Sequence, residues 1–526
     1  MFSKVNCAGL SGTEGFIVKC ETDVSDGLPS VNLIGQLAPE VRESHDRVKT
    51  ALRNSGYYIA PSKITINLSP GDIRKQGCGY DLAIAISILL SAGNISIKEC
   101  SKLISDSVFI GELSLDGKLN RVNGILSMTI AARDAGYENI FVPYENVLEA
   151  SVITGINSYG IKDLKEIIDI LQYDLLLPER TVYRKEQSVR SYDKDFSDVC
   201  GQSLVKRASV IAVAGRHNIL YIGPAGTGKS MIASRIPTIM PEMSTEEQIE
   251  ISKMYSINGL LKPDEPLLRE RPFRSPHHTI SQQALCGGGT IPKPGEISLA
   301  SGGVLFLDEL AEFKSSTLDG LRQPLEEKKV VISRVNSSLE FPSDFVLVAA
   351  TNPCKCGFYP DRSRCSCSES MVRSYLGKIS KPILDRIDIC VEMPNPAYRE
   401  LKEIESGKKS SELRKEVERV RLIQEKRFKE YGIHFNSEMS SRLVKQFCSL
   451  SDSDDEFLKN VYAMKGMSAR GLNKILKVAR TIADLENNAS ITRDNLCEAI
   501  NYRSLEEKYL TGGEVKIEDK FRTKTV

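Results

Sequence analysis

Residues Gly223, Pro224, Ala225, Gly226, Thr227, Gly228, Lys229 and Ser230 fit G-x-x-x-x-G-K-[ST]; the apolar run Ile219 to Ile222 precedes them and a helical stretch, Met231 to Arg235, follows. This pattern suits phosphate. Backbone N–H groups converge, glycines let the backbone approach, a lysine reaches the β and γ phosphates, and a hydroxyl serves Mg²⁺. A second apolar run, Val304 to Leu307, ends in Asp308 and Glu309. In that place one carboxylate holds Mg²⁺ together with Ser230, and the next polarises an attacking water. A third run, Phe345 to Ala350, leads into Thr351, Asn352 and Pro353. Asn352 then faces either the γ-phosphate or the lytic water; the competing reading is a plain Asn-Pro turn. The expected ligands are therefore ATP and Mg²⁺.

Two further segments, Leu384 to Asp388 and Ser468 to Gly471, carry Arg386 and Arg470 with few obvious local partners. On spacing alone, each is as well read as an ordinary surface arginine. Cys354, Cys356, Cys365 and Cys367 form two C-x-C pairs directly after the Asn352 strand, with Gly357, Pro360 and Asp361 between them. Four thiolates so placed fit one tetrahedral Zn²⁺, and four protein ligands leave no open position, so the expected role is structural. C-x-C is tighter than the usual C-x₂₋₄-C, and the alternative is four reduced loop thiols. The other cysteines are scattered and read as small buried apolar residues. His277 and His278 are adjacent, and on a strand they would point to opposite faces, which argues against a shared metal.

These residues need a scaffold, and the chain supplies one. Its 526 residues imply about three domains with cores of their own. Asn6 to about Leu171 alternates strand-like and helical runs, as in Ile64 to Leu68 and Leu82 to Leu90. The expected organisation is an α/β chain: an α+β domain over 1–171, a charged linker over 172–197, an ATP-binding core with a buried parallel sheet over 198–395, and a helical lid over 396–526. Lys plus Arg number 70 and Asp plus Glu 69, a net charge of +1, so any nucleic-acid contact must come from local patches. The longest stretch free of Asp, Glu, Lys, Arg and His, Leu82 to Ile97, falls short of the roughly 20 residues of a membrane helix. With no apolar leader near Lys4 and Glu14 and an odd thirteen cysteines, a reducing, cytoplasmic setting with no membrane partner is expected.

Taken together, Asp308-Glu309, Thr351-Asn352-Pro353, Leu384-Asp385-Arg386 and Ser468-Ala469-Arg470 resemble Walker B, sensor 1, the arginine finger and sensor 2 of AAA+ ATPases. Arg271 to Thr279 and Gly287 to Ala300 resemble the Mg-chelatase-like subgroup called YifB or ComM, competence-associated DNA helicases, and the match runs over essentially the whole chain. The resemblance implies that Lys229, Asp308, Glu309, Asn352 and Arg470 serve their own nucleotide. It implies that Arg386 reaches a neighbour's, which requires a ring, a homo-hexamer. Val199 to Gln202 resembles the segment flanking adenine. His277 and His278 fall in the family segment preceding Walker B, where an inserted hairpin faces the ring channel and contact with DNA or a subunit is expected. Val330 to Phe341 reads as a second hairpin, and its likeness to ring helicases makes Arg334 the candidate phosphate contact on single-stranded or branched DNA.

The first domain resembles the C-terminal proteolytic domain of Lon, through Gly111 to Leu119, Ala131 to Gly136 and Val142-Pro143. That chemistry needs a serine and a lysine. The corresponding positions fall at Gly77 to Asp81, which holds Cys78 but no serine, and at Leu126. A scaffold without peptidase chemistry is expected. The function implied is an ATP-hydrolysing motor on DNA, a helicase or branch-migration factor in recombination or natural transformation. The alternative is a chelatase-like or protein-remodelling ATPase without DNA translocation.

Overall fold

The computed structural model describes residues 1–173, 177–183, 193–289, 292–334, 337–395, 407–506 and 509. Much of the expected linker and the start of the lid, 396–406, lie outside the described residues. The first part of the chain builds a seven-stranded sheet in the order 30–34, 63–69, 14–25, 2–11, 107–109, 139–143, 157–161. Strands Phe2–Ser11 and Glu14–Ser25 form an antiparallel hairpin, while 107–109, 139–143 and 157–161 run parallel. The long apolar run becomes helix Asp81–Ser91, buried at every residue. Its serines are matched inside the core: Ser87 bonds Thr22 Oγ1 at 2.7 Å and Ser91 donates to Thr22 O at 2.9 Å. Pairing of this kind removes the cost of burying a hydroxyl.

A five-stranded sheet follows, in the order Phe273–Arg274, Val304–Leu307, Val346–Thr351, Ile219–Ile222, Ile389–Glu392, with every neighbouring pair parallel. Successive side chains face opposite sides. Leu220, Ile222, Leu305, Leu307, Leu347 and Ala349 enter a core shared with helix Thr245–Ile257 and the first domain. Tyr221, Phe306, Val346, Val348, Ala350 and Val391 enter another, shared with helices Ser203–Gly215, Ser410–Phe428 and Ala469–Leu485. Both faces are covered, so the strands read as unbroken apolar runs. The region after 407 is helical, ending in Arg493–Glu506.

The two sheets are joined by specific contacts. Gly124 N–H donates to Ser256 O at 3.1 Å, Arg121 Nη2 donates to Leu261 O at 2.6 Å, and buried Glu149 accepts the Ser256 hydroxyl. The expected hairpin is present as Lys329–Arg334 paired with Ser337–Pro342, and Leu339 rests against Gly12 of the first domain. The side chain of Arg334 and residues 335–336 lie outside the described residues.

Candidate active site

Parallel strands deliver their C-terminal ends to one sheet edge, where ligands of such sheets bind. Here that edge collects the phosphate loop after Ile222, Asp308-Glu309 after Leu307, Asn352 after Thr351, and His277-His278 beyond Arg274. In the loop, Gly226 and Gly228 have φ of +81° and +91°, a region glycine enters freely. Lys229, nearly buried, donates from Nζ to Gly223 O at 2.7 Å, Pro224 O at 2.6 Å and Asn352 Oδ1 at 3.1 Å. Burial lowers its pKa, and the nearby Asp308 and Glu309 carboxylates oppose that shift. Ser230 Oγ donates to Asp308 Oδ2 at 2.6 Å, so the hydroxyl and carboxylate expected to hold Mg²⁺ already touch. The donor set, one hydroxyl and one carboxylate beside open solvent, suits a hard cation that keeps several waters.

Glu309 adopts a left-handed φ of +52°, with its N–H bonded to Asp308 Oδ1 at 2.9 Å. Its side chain is half exposed and meets His278 Nδ1 at 3.4 Å. The histidines are not on a strand: Phe273–Arg274 ends before them, and their rings pack together at 4.1 Å between centroids. The expectation of opposite faces is corrected accordingly, and His278 lies against Glu309. Sequence reasoning missed this contact. No motif or periodicity in the sequence marks it, because it depends on where the chain turns after Arg274. The segment's short ribbon, Gly287–Gly288 with Lys293–Pro294, lies further along the chain.

The arginines stand apart from this group. Arg470 is exposed at the start of helix Ala469–Leu485, behind the cap made by Ser468 Oγ and Gly471 N–H. Arg386 does have local partners, contrary to expectation: Nη2 meets Glu326 Oε1 at 2.5 Å and Nη1 donates to Pro382 O at 2.5 Å. Val199 and Cys200 line a cavity of about 470 Å³ with Lys206 and Arg207.

The four cysteines converge. Their Sγ atoms all lie within 4.8 Å of one another, with Cys354 Sγ 3.3 Å from Cys356 Sγ and 3.8 Å from Cys365 Sγ. Three of them are buried, and a thiol set this compact fits a closed tetrahedral centre. The Phe358 N–H holds the Cys356 thiol below its usual value, whereas burial pushes the Cys365 thiol up. This loop packs on the phosphate loop: a Cβ on Gly357 would lie 3.9 Å from Ala225 N and Pro224 Cα. Of the scattered cysteines, Cys7, Cys20, Cys100, Cys390 and Cys448 are buried, whereas Cys200, Cys286 and Cys497 are partly exposed.

At the positions compared with Lon, Leu126 is fully buried and donates its N–H to Glu149 Oε1 at 3.2 Å. Cys78 sits in a turn, and burial pushes its thiol up to about 11. The correspondence holds no serine–lysine pair. Among the described residues no helix is long and apolar enough to cross a membrane.

Comparison with known proteins shows the family of this chain. Family models for the magnesium chelatase subunit ChlI match residues 195–401, for subunit ChlI of Mg-chelatase residues 20–146, and for its C-terminal part residues 407–503. Competence protein ComM of Haemophilus influenzae is 39% identical over 500 residues, covering 94% of this chain and 96% of that protein. Uncharacterized protein YifB of Escherichia coli is 38% identical over 493 residues, covering 93% and 94%. Lon protease of Buchnera aphidicola is 25% identical over 176 residues, 31% of this chain and 22% of that protein, so the Lon likeness of the first domain is weakly indicated. The phosphate loop, the Asp308-Glu309 strand end and the full-length similarity make this chain a member of the ComM and YifB family of magnesium-chelatase-like AAA+ proteins, which supports an ATPase.

Proposed function

We propose that this protein is an ATP-hydrolysing ring motor acting on DNA, a helicase or branch-migration factor. The observation that carries the ATPase part is the single sheet edge where Lys229 bonds Asn352, Ser230 bonds Asp308, and half-exposed Glu309, paired with His278, faces the solvent that supplies a water. On ATP binding, Lys229 exchanges the carbonyls of Gly223 and Pro224 for β and γ phosphate oxygens, while Ser230 and Asp308 hold Mg²⁺. Mg²⁺ held by these two side chains would neutralise charge developing on the phosphates. Glu309 orients the water, Asn352 fixes its position relative to Lys229, and Arg470 serves the same nucleotide from the lid. Arg386 completes the site of a neighbour in a homo-hexamer, where an arginine finger accounts for roughly 10³ to 10⁵ in rate. Val199 and Cys200 flank the adenine, and the four cysteines hold a structural zinc.

The DNA part rests on the hairpin 329–342, which carries Arg334, and on the relative named for competence. That name also favours a role in natural transformation or recombination. The family models, named for a chelatase subunit, favour a second reading in which hydrolysis remodels a protein partner. ATPase assays with and without single-stranded, duplex and branched DNA separate the two: the motor is stimulated by at least one DNA form, and the remodelling ATPase by none.

A further inference from the structure

Arg386 is not free to meet a phosphate as it stands. Its Nη2 pairs with Glu326 Oε1 at 2.5 Å, its Nη1 donates to Pro382 O at 2.5 Å, and its Nε is buried without a hydrogen-bond partner among the described residues. The Arg386 side chain is 15% exposed and the Glu326 side chain 57%. Arg386 is tied to the sheet: its carbonyl accepts Asn218 Nδ2 at 2.9 Å, and Asn218 Oδ1 accepts the N–H of Leu347 at 2.9 Å. The next residue, Ile387, offers its carbonyl to Lys474 Nζ at 2.8 Å and Arg503 Nη1 at 3.0 Å, which ties the segment to the lid helices as well. Glu326 lies on helix Arg322–Glu327. That helix ends at Lys328, with a left-handed φ of +56°, and continues directly into hairpin strand Lys329–Arg334. Glu326 therefore sits at the base of the hairpin, where the adjacent Lys328 pairs with Asp344 and with Glu438, while Arg386 is anchored to the sheet and lid.

We infer that Glu326 is a positioning residue that holds Arg386 withdrawn in its own subunit, in competition with the phosphates of the neighbouring nucleotide. The inference rests on the reading of Arg386 as an arginine finger acting in trans. A guanidinium cannot pair fully with a carboxylate of its own chain and with a phosphate of the next. Because Glu326 is mostly exposed, the pair is weak and biases the finger by only about two- to five-fold. Turnover scales with the fraction of fingers released, so a bias of that size appears directly in kcat.

The test is steady-state ATP hydrolysis by the full chain, at a concentration where light scattering shows the same assembly for every variant. Glu326→Gln keeps the shape and removes the charge. It should raise kcat about two- to five-fold with KM for ATP unchanged, and Glu326→Ala should do the same. A residue with only a structural role would lower kcat and the melting temperature together. Arg386→Ala, measured alongside, should be inactive. If both Glu326 variants turn over at or below the wild-type rate while Arg386→Ala is inactive, the latch is refuted and the finger stands. If Arg386→Ala hydrolyses ATP at the wild-type rate, the finger reading itself fails.

Discussion

Replacing Cys365 by serine removes one of four sulfurs from a cluster already shaped for a metal. A tetrahedron with Zn–S bonds of about 2.3 Å has S···S edges of about 3.8 Å. The Cys354–Cys356, Cys354–Cys365 and Cys356–Cys365 separations are 3.3, 3.8 and 3.5 Å, so a metal needs little rearrangement to enter. Purified wild-type protein should carry about one zinc per chain, and Cys365→Ser should lose most of it, since a neutral hydroxyl replaces a thiolate. A site filled at roughly a thousand times its Kd contributes about 4 kcal/mol to the folded form, and this is the scale of local stability at stake. Because Gly357 of this loop packs on Pro224 and Ala225, the variant should also bind ATP less well. Metal content by mass spectrometry, thermal melting with and without chelator, and ATP affinity are the assays. Wild-type protein prepared without chelators that contains no metal would falsify the zinc centre. A Cys365→Ser protein with unchanged ATP affinity would refute its support of the phosphate loop.

Subunits carrying Arg386→Ala and subunits carrying Lys229→Ala should each be inactive alone and regain part of the ATPase when mixed, because each supplies what the other lacks. Absence of recovery between assembled proteins counts against action in trans. Arg334→Ala should lower DNA-stimulated hydrolysis and reduce the log–log salt dependence of DNA binding by roughly 0.7 to 0.9 per subunit engaged; an unchanged slope removes Arg334 from the DNA contact. Arg47→Ala leaves Asp81, whose side chain is fully buried, without the guanidinium that reaches both of its oxygens at 2.9 and 3.0 Å. It should destabilise the first domain by about 3 kcal/mol in denaturant melts; a loss below 1 kcal/mol means the carboxylate is solvated in solution.

Much of the ATP-binding edge was legible because a parallel sheet converts strand order into proximity. Once Ile219 to Ile222, Val304 to Leu307 and Phe345 to Ala350 are read as buried parallel strands, Lys229, Asp308 and Asn352 fall on one sheet edge, and the adjacency of these three strands then brings them together. The cysteine cluster was legible for a simpler reason, since its four residues are close in the chain. What escaped depends on tertiary placement of short elements. Glu326 meets Arg386 because helix Arg322–Glu327 folds over the segment after Pro382, and no periodicity announces that contact. His278 meets Glu309 because the chain leaves its strand at Arg274 instead of extending through the histidines. The docking of Ser256 on Glu149 joins two domains through residues that look unremarkable in either.

Strand displacement on forked and three-stranded substrates measures the ATP-driven DNA motor itself. A DNA motor requires displacement by the wild type with ATP and Mg²⁺, none without ATP, and none by Lys229→Ala, which lacks the ammonium placed to reach the phosphates. A wild-type protein that hydrolyses ATP at a rate no form of DNA alters, and that displaces no strand, contradicts it.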